Sequence, residues 1–419
     1  MRFLIFTLLI AACGGNDPSP RVIAGGGIGD GAIDDVANVY VIDNLSYKPI
    51  AGATVEIGGK DLTTDATGLA VFHGLNGPQT VIVQADGYRG EVWQDANGAN
   101  MTVPVTQLGS LTPQQATLAG SITGFDALTV PTGHIKAAVL SYSQDDSLDD
   151  SENNISTPNN GNVCITQEAC NWTLATRTGT VTITATIIDR DGSGDTTIIG
   201  YATTPSLQVD PSVDQSGITL SLVEAGNMQA VTMATGTPPA ALPTVEGIVG
   251  IELGGNEVVQ LPTLIQTDPS SVLVPLTSVY APSSTYRLTV YAETSSQDAG
   301  AVSATIQRGQ TAAALTSGTW LEPPTGVTAT RSDASLDPVT GANIHSVQWS
   351  DDTGVLLDIT MFDATNTTAT IPALVALPTS GTLTAKAQGL GAAIDLGNFS
   401  LQTDIEKIWG ESSEPITID

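Results

Sequence analysis

Three stretches decide the fold: VTITATII (Val181–Ile188), YRLTVYA (Tyr286–Ala292) and VLLDITMF (Val355–Phe362). Each is short, rich in Val, Ile, Leu and Thr, and bounded by Gly, Pro, Asn, Ser or Asp. β-Branched residues suit a pleated, half-buried surface, and these lengths are those of strands. The same grammar continues in both directions, from about residue 36 to the end, and no helical period interrupts it. The expectation is an all-β chain of tandem β-sandwiches. At roughly 100–150 residues per domain, 419 residues make about three or four of them.

Charge narrows the partners. The chain has 13 Lys+Arg against 43 Asp+Glu, a formal net charge of −30. Phosphate recognition needs clustered cations, so no nucleic-acid partner is expected. Aromatics are only 5%, which leaves the cores to Val, Ile, Leu and Thr.

The N-terminus reads as a processing signal. Met1-Arg2 is a short basic start and Phe3–Ile10 an apolar run too short to span a bilayer. It ends Ile10-Ala11-Ala12-Cys13, which resembles the lipobox of bacterial lipoproteins. The resemblance implies cleavage of residues 1–12, lipidation of Cys13 and a membrane partner through that anchor; the other reading is an ordinary cleaved signal. Several acyl chains anchor durably where one does not. Gly14 is not Asp, so the expected location is the cell envelope, at the outer membrane. Residues 13–35 (from Gly14, GGNDPSPRVIAGGGIGDGAIDD) read as a flexible tether.

With Cys13 assigned to lipid, Cys164 and Cys170 remain as a pair. In an exported chain a C-x5-C pair reads as a local disulfide; neither Cys has a His at ligand-like spacing for zinc.

Four modules follow. Residues 36–108 contain Pro49-Ile50-Ala51-Gly52-Ala53-Thr54-Val55, Thr64-Asp65-Ala66-Thr67-Gly68 and Val81-Ile82-Val83-Gln84-Ala85-Asp86-Gly87-Tyr88. This resembles the carboxypeptidase regulatory-like domain, a transthyretin-like sandwich that implies an accessory role. Residues 115–224 carry an acidic insertion, Asp145–Glu152, before the cysteine loop. Residues 225–322 and 323–419 read as divergent copies: VPLTSVYAPSSTYRLTVYA (Val274–Ala292) parallels IPALVALPTSGTLTAKA (Ile371–Ala387). Pro282, Tyr286, Leu288, Val290 and Ala292 in one, and Pro323-Pro324 with Val347-Gln348-Trp349 in the other, resemble fibronectin type III modules. Together the resemblances imply tandem Ig-like and transthyretin-like sandwiches.

Catalytic patterns are missing. His73, His134 and His345 lack the Glu of an H-x-x-E metal pair, and no G-x-S-x-G or S-x-x-K occurs. The glycines of Ala24–Gly29 lack the strand and helix a nucleotide loop needs. The best candidate site is Asp189-Arg190-Asp191-Gly192-Ser193-Gly194-Asp195. It reads either as an Asp–Gly hairpin or as Ca2+ ligands from Asp189, Asp191 and Asp195. No other cofactor is expected. The functional expectation is a non-catalytic envelope lipoprotein that is structural, adhesive or recognises an envelope protein or polysaccharide. An accessory carbohydrate-binding protein is the alternative, and a hydrolase without a recognisable motif the third reading.

Overall fold

The computed structural model describes residues 18–109, 114–146, 163–166, 168–261, 270–294 and 300–418. The chain is β throughout. The three deciding stretches lie in Gly179–Val181 and Ile183–Arg190, in Thr285–Glu293 and in Gly354–Met361. The longest α-helix among the described residues is the four-residue turn Leu401–Asp404.

The sandwiches are not beads on a string. One sheet of thirteen strands runs through the molecule. It begins with Lys60–Thr63, Thr54–Ile57, Gln79–Gln84 and Gly90–Ala96 of the first module. It continues with Gly354–Met361, Ile344–Asp351, Leu383–Ala392 and Ile408–Ile418 of the fourth. It ends with Val302–Gln310, Thr285–Glu293, Thr244–Gly254 and Glu257–Leu261 of the third, then Gln144–Asp145 of the second. The first and fourth modules meet in a parallel pairing, Gly90–Gln94 against Leu357–Met361. The fourth and third meet in an antiparallel one, Val302–Thr305 against Gly410–Ser413. Pro415 has no N–H to give, and it lies just past that second ladder, where none is needed.

Each module covers its part of this sheet with a smaller one. Over the third module lie Met228–Ala234, Ser270–Pro275 and Ala314–Thr316; over the fourth, Thr328–Ala329, Asp333–Ser335 and Thr368–Thr370. Near the first seam the shared sheet is packed on both faces. Val81, Val83 and Trp93 enter the first module's core, while Ile82 and Val92 enter the fourth's. Tyr286 is buried in the third module, its hydroxyl donating to the Pro275 carbonyl at 2.8 Å. Trp349 is fully buried in the fourth.

The structure corrects the flexible tether. Gly27–Gly29 is a strand, paired with Asn100–Thr102 of the first module on one side and Phe399–Ser400 of the fourth on the other. Ile23, Ile28 and Ile33 are buried. The polar composition misled because the strand borrows its backbone partners from two modules. Asn38, Asn100 and Thr102, all buried, bond the Pro18 carbonyl, the Ser19 carbonyl and the Ile23 amide. Gly27 has φ 141°, and a Cβ there would stand 2.1 Å from the Phe399 carbonyl oxygen, so only glycine fits.

The second module stands apart. Seven strands form one sheet in the order Val163–Ile165, Ile135–Tyr142, Ile183–Arg190, Thr196–Thr203, Gln215–Leu222, Gln115–Thr123, Cys170–Arg177. A core of its own, centred on Leu118, Phe125, Ile183 and Ile187, fills the curl.

Candidate functional site

The Asp189–Asp195 segment is a hairpin turn between Ile183–Arg190 and Thr196–Thr203. Its carboxylates do not converge. Asp189 turns to His134, with Oδ1 2.8 Å from Nδ1. Asp191 Oδ1 accepts from the backbone amides of Ser193 and Asp195, each at 2.9 Å, and from the Ser193 hydroxyl. The Ser193 hydroxyl, with these amides, holds the Asp191 carboxyl below its usual range. Asp195 serves the turn through its backbone, its carbonyl accepting from the Asp191 amide. Among the described residues no three His, Cys, Asp or Glu side chains gather as a metal site. Of the two readings the hairpin is the one the geometry displays, with the Asp191 carboxyl engaged in the turn and that of Asp189 on His134.

Cys164 and Cys170 are joined, with Cα atoms 5.9 Å apart. The bond ties Val163–Ile165 to Cys170–Arg177, the two outermost strands of the seven-stranded sheet. It thus clasps the edges of one sheet, which sequence spacing alone does not reveal. Cys13 lies outside the described residues.

The start of the acidic insertion is fixed to the third module. Gln144–Asp145 pairs with Glu257–Val258. Asp146 accepts from Arg287 Nη1 at 2.8 and 2.7 Å and from Arg308 Nη1 at 2.6 Å. Burial alone would raise the Asp146 carboxyl; the two guanidiniums outweigh it and hold the carboxyl below its usual range. Arg177 Nη2 meets both oxygens of Glu257 at 2.6 Å, and Ser143 donates to Glu257 at 2.6 Å. In the other direction Ser147 to Glu152 lie outside the described residues. The sequence reading missed this network. Its signal was Arg287 inside an alternating apolar strand of a chain poor in cations, since an inward guanidinium demands a carboxylate.

Around the Gly254-Gly255 turn lies a cleft of about 910 Å³ that all of the first three modules line. Lys48, Tyr88 and Gln107 come from the first, Asp145 and Arg177 from the second and Glu257 from the third. Asp43 holds one wall, accepting from the Tyr88 hydroxyl at 3.0 Å and Gln107 at 3.2 Å. The arrangement offers hydroxyl, amide, carboxylate and cationic groups, and the Ser46 hydroxyl in its lining donates to Asp43 at 2.8 Å. The histidines stand elsewhere: His345 is buried, its Nε2 accepting from the Val339 amide at 3.1 Å, and burial pushes its ring pKa down. His73 lies exposed on Leu69–Asn76.

No family model and no curated protein matches the chain. Among solved structures it is similar to the Bacillus anthracis TIE protein, at 12% identity and TM-score 0.16 over 63% of this chain. It spans 45% of that protein's chain. It is also similar to the shaft pilin SpaA of Lactobacillus rhamnosus GG, at 13% identity and TM-score 0.14 over 45% of this chain and 98% of that one. The FN1-FN3 domains of chicken CNTN1 match at 10% identity and TM-score 0.15 over 68% and 91%. At these TM-scores the likeness carries no functional argument.

Proposed function

We propose that the chain is a non-catalytic lipoprotein of the cell envelope, anchored through Cys13, whose fused modules form a rigid structural and recognition platform. The observation that carries this is the thirteen-stranded sheet, which joins three sandwiches through backbone ladders where flexible linkers would serve an array of independent binders. Export is supported by the Cys164–Cys170 bond, because disulfides persist in oxidising compartments. The anchor is tested by a fatty-acid probe and membrane fractionation. Wild type labels and sediments with membranes, Cys13→Ser does neither, and equal sedimentation of the two sinks the anchor. The platform is tested by limited proteolysis: cleavage that separates the first from the fourth module while each stays folded would refute it.

The three-module cleft supports a second reading, recognition of an uncharged polysaccharide. Its polar lining suits hydroxyl groups, and a net charge of −30 disfavours anionic polymers. Saturable binding to an envelope glycan array, lost in Tyr88→Ala, would establish it.

A further inference from the structure

The seam between the first and fourth modules buries two acids beside one half-buried base. Glu91 and Asp358 are register partners across the parallel pairing. Both are buried, at 6% and 8% exposure. Trp93 Nε1 donates to Glu91 Oε1 at 3.2 Å, and Gln348 Nε2 donates to Asp358 Oδ2 at 2.7 Å. Arg89 Nε stands 4.0 Å from Glu91 Oε2, and neither that Nε nor Asp358 Oδ1 has a hydrogen bond.

The groups facing the pair can be named strand by strand. On the first-module side Val83, opposite Glu91, is apolar. Along Glu91's own strand stands Trp93, and Arg89 lies just before the strand begins. Beyond Asp358 comes Gln348, and beyond Gln348 comes the exposed Lys386. With both carboxyls ionised, one nearby guanidinium leaves a net charge of −1 inside the seam. With one proton added the group is neutral, and Asp358 or Glu91 gains a donor. An unbalanced buried charge is costly in such surroundings, and one proton on the pair removes it.

We propose that the seam is a proton-held latch: the first module docks on the fourth with one proton shared by Glu91 and Asp358, and the docking loosens when that proton leaves. Burial and the neighbouring Asp358 carboxylate push Glu91 well above its usual range, and burial pushes Asp358 up. Undocked, both carboxyls are solvated and titrate near their ordinary values of about 4. Docking therefore takes up a proton over the window between those values and the raised ones. The sign follows: docking is full below the ordinary carboxyl range and weakens as pH rises through the raised titration. One proton makes the slope at most about tenfold in the docking equilibrium per pH unit.

The measurement is backbone hydrogen exchange of the full chain, wild type against Glu91→Gln, at the same pH so that intrinsic rates cancel. Gln keeps the oxygen that accepts from Trp93 and removes the charge. Between about pH 5 and about pH 8.5 the protection of residues 90–94 and 357–361 in the variant relative to wild type should rise at least about tenfold. A ratio that is the same at both pH values overturns the proposal. Asp358→Asn repeats the test from the other strand. If neither variant folds, wild type alone decides. After correction for intrinsic rates, its seam must lose protection between the two pH values relative to Ile183–Arg190 in the second module, and equal behaviour refutes the latch.

Discussion

The second module and the block made by the first, third and fourth use the same kind of strand and solve the problem of sheet edges in opposite ways. The second curls one sheet until its outermost strands meet and clasps them with Cys164–Cys170. The block leaves its sheets open and lets each edge become the next module's neighbour. An unpaired edge invites association, so either closure or pairing must occur. The clasp confines damage to one module, whereas pairing spreads it. Among the described residues a two-residue strand, the Asp146 and Glu257 ion pairs, a few side-chain hydrogen bonds and apolar contacts such as Tyr201 in the third module's core link the two designs.

Mutations separate the two designs. The largest effect belongs to Trp93→Ala. Trp93 is buried in the first module's core and meets Phe362 of the fourth edge-on, ring centroids 5.3 Å apart. Truncation should cost about 3–5 kcal/mol in denaturant titrations and weaken the first and fourth modules together. A loss confined to the first module would show that the shared sheet does not couple them. Next is Asp146→Ala, which strands Arg287 and Arg308. It should cost about 3 kcal/mol, the low end for a buried pair because part of the network touches solvent. It should also free the second module from the third, read as a splitting of the calorimetric transition.

Replacing Cys164 and Cys170 with Ser should cost about 2 kcal/mol, since the loop closed is short. Only the second module should melt earlier; a shift of the whole molecule would contradict its independence. The smallest effect comes from the turns. Asp65, Asp191 and Asp351 each accept hydrogen bonds from a Ser or Thr two residues on, and those hydroxyls hold the carboxyls below their usual range. A lowered carboxyl contributes stability above its ordinary titration near 4, and that stability is lost as pH falls through the lowered value. Asp65→Asn should slightly destabilise the first module at neutral pH and flatten its acid unfolding curve. An unchanged acid limb would remove the turn from the account. The seam carboxyls act with the opposite sign, losing their contribution as pH rises.

The hairpins were legible because their chemistry is local. Gly58-Gly59, at φ 59° and 74°, sits between partners Ile57 and Lys60 as two glycines between alternating runs suggest. The disulfide was legible from the parity of the cysteines. The seams were not, and alternation explains why. Ile82 and Val92 occupy the outward positions of their strands, and the sequence says only that those positions are apolar, not which module covers them. Gly90 reads as a weak spot in a strand. In the fold a Cβ there would lie 2.7 Å from Val375 of the fourth module, so it is a docking requirement. The partners of the Asp189–Asp195 carboxylates were not legible for a related reason. Counting carboxylates does not show which amides and hydroxyls have already taken their lone pairs.

The packed N-terminal segment has a mechanical consequence. With lipid on Cys13, four residues lie between the anchor and Pro18, and the five steps reach at most about 18 Å even fully extended. That is less than the roughly 30 Å depth of a bilayer's hydrocarbon core, so the body would ride close to its membrane on a very short leash. Traction on the lipid would not be absorbed by slack chain. It would fall first on the Asn38 and Asn100 bonds to Pro18 and Ser19, then on the Thr102 bond to Ile23. Beyond them it would load Gly27–Gly29 in shear against both its ladders at once, so the strand nearest the anchor is the one that would carry the load into two modules together.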